Sequence, residues 1–156
     1  MLFFLLANLN GCNNRPTVEE LVANATNTNV KRLAKMYTVY MSSHNWVGPE
    51  NAGELKAFIN GQDPAQMRAM GIDPDNLDSL FVDEAEEPGE IKVRWKLATT
   101  NLSAPLPIVF QTKASPEGLH EIGFSGAPAK QVTTEQYQRL WSGEGDDTST
   151  PTNRRR

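Results

Sequence analysis

Two histidines and one serine are the side chains of this sequence with the best potential for catalysis or metal binding. His44 and His120 are far apart, and neither has a Cys, Asp or Glu beside it at the spacing of metal ligands. The sequence has no HExxH motif and no pair of CxxC motifs, so it predicts no metal site. We expect His44 to lie at a helix end, where a cation interacts favourably with the helix dipole.

Ser125 stands in the segment Gly123–Gly126, which matches the nucleophile elbow of serine hydrolases only in part. That elbow has the pattern G-x-S-x-G, whereas here Gly126 directly follows the serine. The flanking residues also predict a hairpin, not the strand-to-helix turn that exposes a catalytic serine. We therefore interpret the segment as a turn and predict no catalytic residue.

Three aspartates, Asp73, Asp75 and Asp78, follow one another at short spacing, as in a calcium-binding loop. An EF-hand loop has an oxygen ligand at its fifth position and glycine at its sixth, and here Leu77 and Asp78 occupy them. Capping of a helix by Asp73 and first-turn acidity at Asp75 explain the pattern better. The chain also has no glycine-rich phosphate loop, so the sequence predicts no cofactor and identifies no small-molecule substrate.

Cys12 is the only cysteine and follows the apolar segment Leu2–Leu9. The residues from Leu9 to Cys12 match a bacterial lipobox, with an apolar residue three positions before the cysteine and Gly11 directly before it. The match predicts cleavage after Gly11 and a mature protein that begins at an acylated Cys12. A chance cysteine in a frayed N-terminus stays the alternative, because no Lys or Arg precedes the apolar segment, as one does in a secretory signal.

Composition limits the remaining possibilities. Without the predicted signal peptide and a polar tail, about 130 residues are left, which suits a single domain. A net charge of −4 argues against nucleic acid as a partner, because phosphate binding needs a basic surface. A single cysteine cannot form an internal disulfide, so an exported domain would depend on packing alone.

Helical spacing of apolar residues predicts one long helix from about Val18 to Ser43, weakened by the polar segment Asn24–Asn29. Thr17 and Glu20 form a capping-box pattern at its start. Shorter helices are predicted around Leu55–Ile59, after Asp63 and Pro64, with Gly71 as the C′ glycine, and over Asp75–Leu80. The acidic segment Asp83–Glu90 is predicted to be a solvated loop.

Strand patterns follow this loop. Ile91, Val93, Trp95 and Leu97 alternate with Lys92, Arg94 and Lys96, which predicts a half-buried strand with a basic outer face. Further strands are predicted over Pro107–Lys113, over Leu119–Phe124 and up to Val132, before a short helix capped by Thr133 and Gln136. This order predicts an α+β fold: a long N-terminal helix packed on a three- to four-stranded antiparallel sheet, with small helices and a short C-terminal helix.

The large side chains predict how the helix meets the sheet. We expect one apolar sheet face, with Leu33, Tyr37 and Tyr40 packing on Val93, Trp95, Val109 and Phe124. Trp46, Trp95 and Trp141, with Tyr37, Tyr40 and Phe110, are expected to share this core. A ligand groove lined by these rings is the alternative.

In element order and in certain residues, the chain resembles the globular domain of type II secretion pseudopilins and related bacterial envelope proteins. The matching parts are Val30–Tyr40, Gly48–Pro49, Leu55–Phe58, Pro107–Phe110, Glu121–Phe124, Val132 and Glu135–Trp141. The resemblance covers roughly residues 30–141 and implies a helix followed by a three- or four-stranded antiparallel sheet. With the lipobox it suggests a signal peptide at 1–11, a tether at 12–16, a pseudopilin-like domain at 17–141 and a disordered tail at 142–156.

The departures from that family are also informative. Pilin-like subunits continue from their cleavage site into a long apolar helix with an early glutamate, whereas Asn13–Arg15 follow Cys12 here. The turn Phe124–Pro128 also lacks the aspartate that is usual in these relatives. The resemblance therefore implies a membrane-tethered relative that does not polymerise.

Together these features predict an envelope lipoprotein with a structural or protein-interaction role and no catalytic activity. Its expected partners are the lipid bilayer, through Cys12, and other envelope proteins, through Lys92, Arg94 and Lys96. A simple solvated strand face is the alternative for these three side chains. Asn13 is not the aspartate that retains lipoproteins at the inner membrane, so we expect the outer membrane, facing the periplasm. A small hydrolase, a carbohydrate-binding protein and an immunity-type or inhibitor protein stay open as alternatives.

Overall fold

A computed structural model describes residues 27–84, 88–101 and 104–143. The predicted signal peptide, Cys12, the tether, the Thr17 capping box and the tail from residue 144 onward lie outside the described residues. Within the described ranges, no helix combines the length and apolar character needed to cross a membrane.

Helix α1, Asn29–Ser43, begins at an N-cap formed by Thr28. The backbone of Thr28 is extended, and its hydroxyl oxygen accepts the N–H of Lys31 at 3.3 Å. The same hydroxyl donates to the Glu121 carboxylate at 2.6 Å, far away in the sequence. Thr28 therefore interrupts the predicted Val18–Ser43 helix within its weak segment Asn24–Asn29, because an extended residue cannot continue a helix; the predicted part before residue 27 lies outside the described residues.

Small helices lie between α1 and the sheet. They are α2, Ala52–Asn60, then α3, Pro64–Ala69, and a 3-10 helix, Leu77–Phe81. Asp63 caps α3 and Pro64 starts it, and Gly71 follows with a φ of +74°, so these predicted boundary signals are confirmed. The predicted start at Asp75 was wrong: the Asp73 carboxylate accepts the N–H of Asp75 in a turn, and the 3-10 helix begins only at Leu77.

The sheet contains four antiparallel strands in the order β1-β2-β3-β4. Their bounds are β1, Ile91–Val93, β2, Pro107–Gln111, β3, Leu119–Phe124, and β4, Ala127–Thr133. Continuation of the first strand to Leu97 was a wrong prediction. Lys96 has a φ of +59° and donates its N–H to the carbonyl of Pro49 at 2.9 Å, which turns the chain away from the sheet.

Helices cover both faces of this sheet. Helix α1 packs on one face, where Leu33, Tyr37, Tyr40, Val93 and Val109 belong to the larger core. Helix α4, Thr134–Ser142, packs on the other, against a second cluster of buried side chains. The cluster consists of Phe110, Ile122 and Val132, with Phe124, Tyr137 and Leu140 at its border.

The expected fold class is therefore confirmed: an N-terminal helix on a four-stranded antiparallel sheet, with small helices and a short C-terminal helix. The expectation of one apolar sheet face was wrong, and so was the placement of Phe124 in the α1 core. Successive strand residues point to opposite faces, so Gly123 faces α1 while Phe124 belongs to the α4 cluster.

A hydrogen-bonded pair joins α1 to α2. Tyr40 donates its hydroxyl to the Glu54 carboxylate, and the backbone N–H of Glu50 donates to the other oxygen of Glu54 at 2.6 Å. These bonds, first that from Tyr40 and then that from Glu50, hold the pKa of Glu54 below 4.5. The bond to Glu54, together with desolvation, raises the pKa of Tyr40 to about 12.

These shifts predict how stability depends on pH. The folded protein binds a proton at Glu54 less readily than the unfolded chain does, because the pKa of this carboxyl is lowered on folding. The stability that the carboxylate contributes is therefore present above pH 4.5 and is lost as the pH falls below that value. The stability from neutral Tyr40 is present below pH 10 and is lost as the pH rises toward about 12. Urea unfolding at several pH values should show that Glu54→Gln weakens both dependences.

Tyr40→Phe is the matched control, because it removes the donor and keeps the carboxylate. It should abolish the loss of stability at alkaline pH and most of the loss of stability at acid pH that this pair causes. An acid dependence that is the same in the wild type and in both variants would contradict the assignment.

Candidate functional site

The three basic residues that the sequence placed on one strand face lie in three different settings. The ammonium of Lys92 lies 5.6 Å from the ring centre of Trp141, on the α4 side of the sheet. Arg94 follows the end of β1 and bonds to the end of α4. Lys96 forms an ion pair with Glu50 at 3.4 Å, near the start of α2. The structure therefore brings Lys92 and Arg94 to α4 and leaves Lys96 apart from them.

Arg94 holds the C-terminal end of α4. Its guanidinium donates to the carbonyl oxygens of Leu140 and Trp141, the latter at 2.6 Å. It also lies over the rings of Phe110 and Trp141, at 5.4 and 5.8 Å from their centres. The last carbonyls of a helix lack partners within it and carry partial negative charge, so a cation stabilises them. The guanidinium of Arg94 is therefore engaged in contacts within the domain.

Arg94→Met should loosen α4 by about 1.5–3 kcal/mol, the range for hydrogen bonds that involve a charged group. Hydrogen exchange should report the loss in the amides of α4 before those of α1. Arg139→Met is the matched control on the same helix, where the exposed pair with Glu135 should contribute under about 0.5 kcal/mol. Equal protection of α4 in the wild type and in Arg94→Met would contradict the role.

An open groove lies beside Lys92. Its walls are the rings of Phe81, Trp95 and Trp141 with the side chains of Lys56 and Lys92, and its volume is about 400 Å³. We call it the aromatic groove; Ala52, Glu90, Ile91 and Val93 complete its lining. The groove therefore joins residues from α2, the 3-10 helix, β1 and α4.

The aromatic groove combines apolar rings with cations. The Lys56 ammonium lies 5.0 Å from the ring centre of Phe81 and also pairs with Asp78. Trp141 is 39% exposed, which is high for so large an apolar side chain. This arrangement suits an apolar or aromatic side chain of a partner with an acidic group next to it. Among the described residues, no group of three or more His, Cys, Asp or Glu side chains is placed to hold a metal ion.

The histidines and the serine considered for chemistry have structural contacts. His44 caps the end of α1, as expected, and its ring stacks on Tyr40 at 3.8 Å between ring centres. His120 is buried, and its ring nitrogens contact the carbonyl of Gln111 and the hydroxyl of Thr134, both at 3.1 Å. The hydroxyl of Ser125 accepts the N–H of Leu106 at 2.9 Å, beside the predicted turn.

The aromatic residues that were expected to share one core are divided between the two sheet faces. Tyr37 stacks on Trp95 at 6.4 Å on the α1 side, whereas Phe110 meets Trp141 edge to face at 5.0 Å on the α4 side. Sequence reasoning missed Phe81 as a lining residue of the groove. In the sequence Phe81 is only a large apolar residue two positions before an acidic loop, and its place beside β1 in the groove exists only in the folded chain.

Comparisons of this chain with protein-family models, with curated proteins and with solved structures give no match. Its function must therefore be argued from its own residues. The proposed function starts from the aromatic groove of the structure and from the lipobox predicted at Cys12.

Proposed function

We propose that this chain is a membrane-anchored lipoprotein of the bacterial envelope that contacts other envelope proteins and catalyses no reaction. Attachment rests on the lipobox that ends at Cys12. One acyl chain binds membranes reversibly and a second makes the attachment stable, so a diacylated or triacylated cysteine would hold the domain at the bilayer. Asn13 favours the outer membrane, with the domain facing the periplasm.

The pseudopilin-like resemblance supports the same proposal. The order of α1, the Gly48–Pro49 loop, α2 and an antiparallel sheet agrees with what that resemblance implies. The polar residues after Cys12 do not provide the apolar helix with which pilin-like subunits assemble. We therefore propose a tethered, non-polymerising relative.

The observation that carries the interaction role is the aromatic groove. Aromatic side chains are enriched in protein interfaces, and those that fill or line a pocket dominate binding energy. Trp141 and Phe81 give the groove such a lining, and Lys92 adds a positive charge at its rim. Of the three basic residues predicted from the sequence, we keep Lys92 as the contact residue, because it lines the aromatic groove and Arg94 and Lys96 do not.

Membrane attachment is tested by Cys12→Ser. The wild-type chain should fractionate with membranes, and its intact mass should equal the sequence from Cys12 plus the acyl groups. The variant should be released or stay unprocessed. Identical fractionation and mass of the two proteins would refute lipidation.

The contact surface is tested by crosslinking in cells followed by capture of the tethered protein. Lys92→Glu and Trp141→Ala should reduce the recovery of specific envelope proteins, and higher salt should reduce it further in the wild type. Lys96→Glu is the matched control, because it makes the same charge change outside the groove. If all three variants recover the same proteins as the wild type, the groove is not the contact surface.

A carbohydrate-binding role is the alternative with a structural observation in its favour, because three aromatic rings line the groove. Titration with soluble fragments of cell-wall polysaccharide, followed by tryptophan fluorescence, distinguishes the two. Saturable quenching that is lost in Trp141→Ala would favour carbohydrate over protein. A hydrolase screen with turnover that is lost in Ser125→Ala or His120→Ala would overturn the non-catalytic role.

A further inference from the structure

Strand β4 lies at the end of the sheet opposite β1, and its outer edge has a defined hydrogen-bonding pattern. Arg94 donates its N–H to the carbonyl of Ile108 at 2.9 Å, and Thr112 donates to that of Glu90 at 3.2 Å. The even-numbered residues of β2 therefore face β1, and the odd-numbered ones face β3.

The same alternation holds in the regular parts of the next two pairs, outside the register irregularities at Pro107/Val109 and Ile122/Phe124. Val109 pairs with Gly123, so the even-numbered residues of β3 face β4, where Ile122 pairs with Lys130. It follows that Lys130 is bonded to β3, while the C=O of Ala129 and both the N–H and the C=O of Gln131 point away from the sheet. No strand of the described ranges pairs with this outer edge.

A second groove runs along this edge, between β4 and α1. We call it the lysine groove: it has a volume of about 530 Å³ and is lined by Lys31, Ala34, Lys35, Thr38, Phe124 and Gly126–Ala129. An edge that only needs protection from aggregation is blunted by proline or charge, as Pro128 and Lys130 do here. A groove of about 530 Å³ behind the edge is a feature beyond such protection.

The charge around the edge is positive although the chain carries a net charge of −4. Lys35 is exposed, and no ion pair within the described residues involves it. Lys130 is exposed as well, with its ammonium 5.5 Å from the ring centre of Phe124. Lys31 is partly neutralised by Glu121 at 3.6 Å. Lysines thus stand on both sides of the edge.

We infer that the outer edge of β4 and the lysine groove bind an extended acidic segment of a partner protein, which adds to the sheet as a further strand. Ala129 and Gln131 supply the backbone hydrogen bonds that such strand addition uses. Alternate side chains of the added strand enter the lysine groove or lie near Lys130, so acidic residues are favoured on both sides. This surface is separate from the aromatic groove and goes beyond the proposed function.

The test uses the full-length Cys12→Ser chain, which needs no membrane, and a short synthetic peptide of repeated Glu-Glu-Val-Val units, which places glutamates on both faces of an extended strand. Backbone NMR shifts should change at Ala129–Gln131 and at Lys35 as the peptide is added. A peptide with lysine in place of glutamate should bind at least about tenfold more weakly. Lys35→Glu and Lys130→Glu should each weaken the acidic peptide several-fold, while Lys96→Glu, distant from this edge, should not.

Strand addition itself is tested with N-methylated peptides. Methylation of alternate amides blocks one edge of the peptide, and methylation of the other amides blocks the opposite edge. One of these peptides should bind like the parent and the other should lose binding at least about tenfold, because only one edge meets Ala129 and Gln131.

Several results would overturn the inference. These are equal binding of the acidic and lysine peptides, equal effects of the two methylation patterns, and shift changes confined to the aromatic groove. Concentration-dependent shifts at Ala129–Gln131 without peptide would assign the edge to a second copy of the chain instead. None of these outcomes depends on acylation, so they are separate from a failure of the lipoprotein proposal.

Discussion

Phe110→Ala should destabilise the domain by about 3–5 kcal/mol, the usual cost of removing a fully buried aromatic ring. The ring is 0% exposed and lies at the centre of the cluster that joins the sheet to α4. Its centre is 5.7 Å from that of Tyr137 and 5.0 Å from that of Trp141, both in edge-to-face geometry. Urea unfolding followed by far-UV circular dichroism measures the loss.

Trp141→Ala is the matched control, since it removes a larger ring from the same contact. That ring is 39% exposed, so its removal should cost clearly less than that of Phe110. If Phe110→Ala cost under about 1 kcal/mol, or less than Trp141→Ala, the second core would not hold α4 as described.

Local sequence signals gave the boundaries that the structure confirms. The Thr133 hydroxyl and the Gln136 side chain form the predicted capping box at the start of α4. Asp63 and Gly71 likewise mark the two ends of α3. Such signals are reliable because the groups involved are neighbours in the chain and satisfy each other's hydrogen bonds.

Long-range contacts caused the errors. Thr28, where α1 begins, caps Lys31 and also binds Glu121, and nothing near Thr28 in the sequence reveals that distant partner. The sequence did contain a signal that the sheet is buried on both faces. Pro107–Phe110 is an unbroken run of apolar residues, all of which are buried, whereas a strand with one solvated face alternates apolar and polar residues. The alternation of apolar and basic residues at Ile91–Val93 instead suggested a sheet with one solvated face.

The candidate site was predictable only in part. Lys92 was identified by its basic character, but alternation alone could not separate it from Arg94 and Lys96. The partners of Arg94 are backbone carbonyls of α4, which any sequence would supply, so they leave no pattern to recognise. The charge at the β4 edge arises where α1 passes β4, and this juxtaposition depends on the tertiary fold.

Gly123→Ala should destabilise the domain by about 1–3 kcal/mol, because it adds a methyl group where α1 crosses β3. A Cβ atom at this position would lie 2.6 Å from the Cβ of Ala34, 3.1 Å from the carbonyl oxygen of Val30 and 3.3 Å from the Cβ of Val109. The first two contacts are with a short side chain and a backbone atom of α1, so the helix itself must move away from the sheet.

Ala34→Gly tests whether that contact is the cause. Alone it should cost about 1 kcal/mol, through the poor helix propensity of glycine. Combined with Gly123→Ala it should recover stability, because it removes the atom nearest the new methyl group, and the two changes should therefore be strongly non-additive. Gly61→Ala is the control for the substitution itself: its φ is −81° and its nearest neighbour would be 3.4 Å away, so it should be neutral or stabilising by about 0.4–1 kcal/mol. Additive costs in the double variant, measured by urea unfolding, would show that α1 and β3 are not in the close contact that sets the position of the lysine groove.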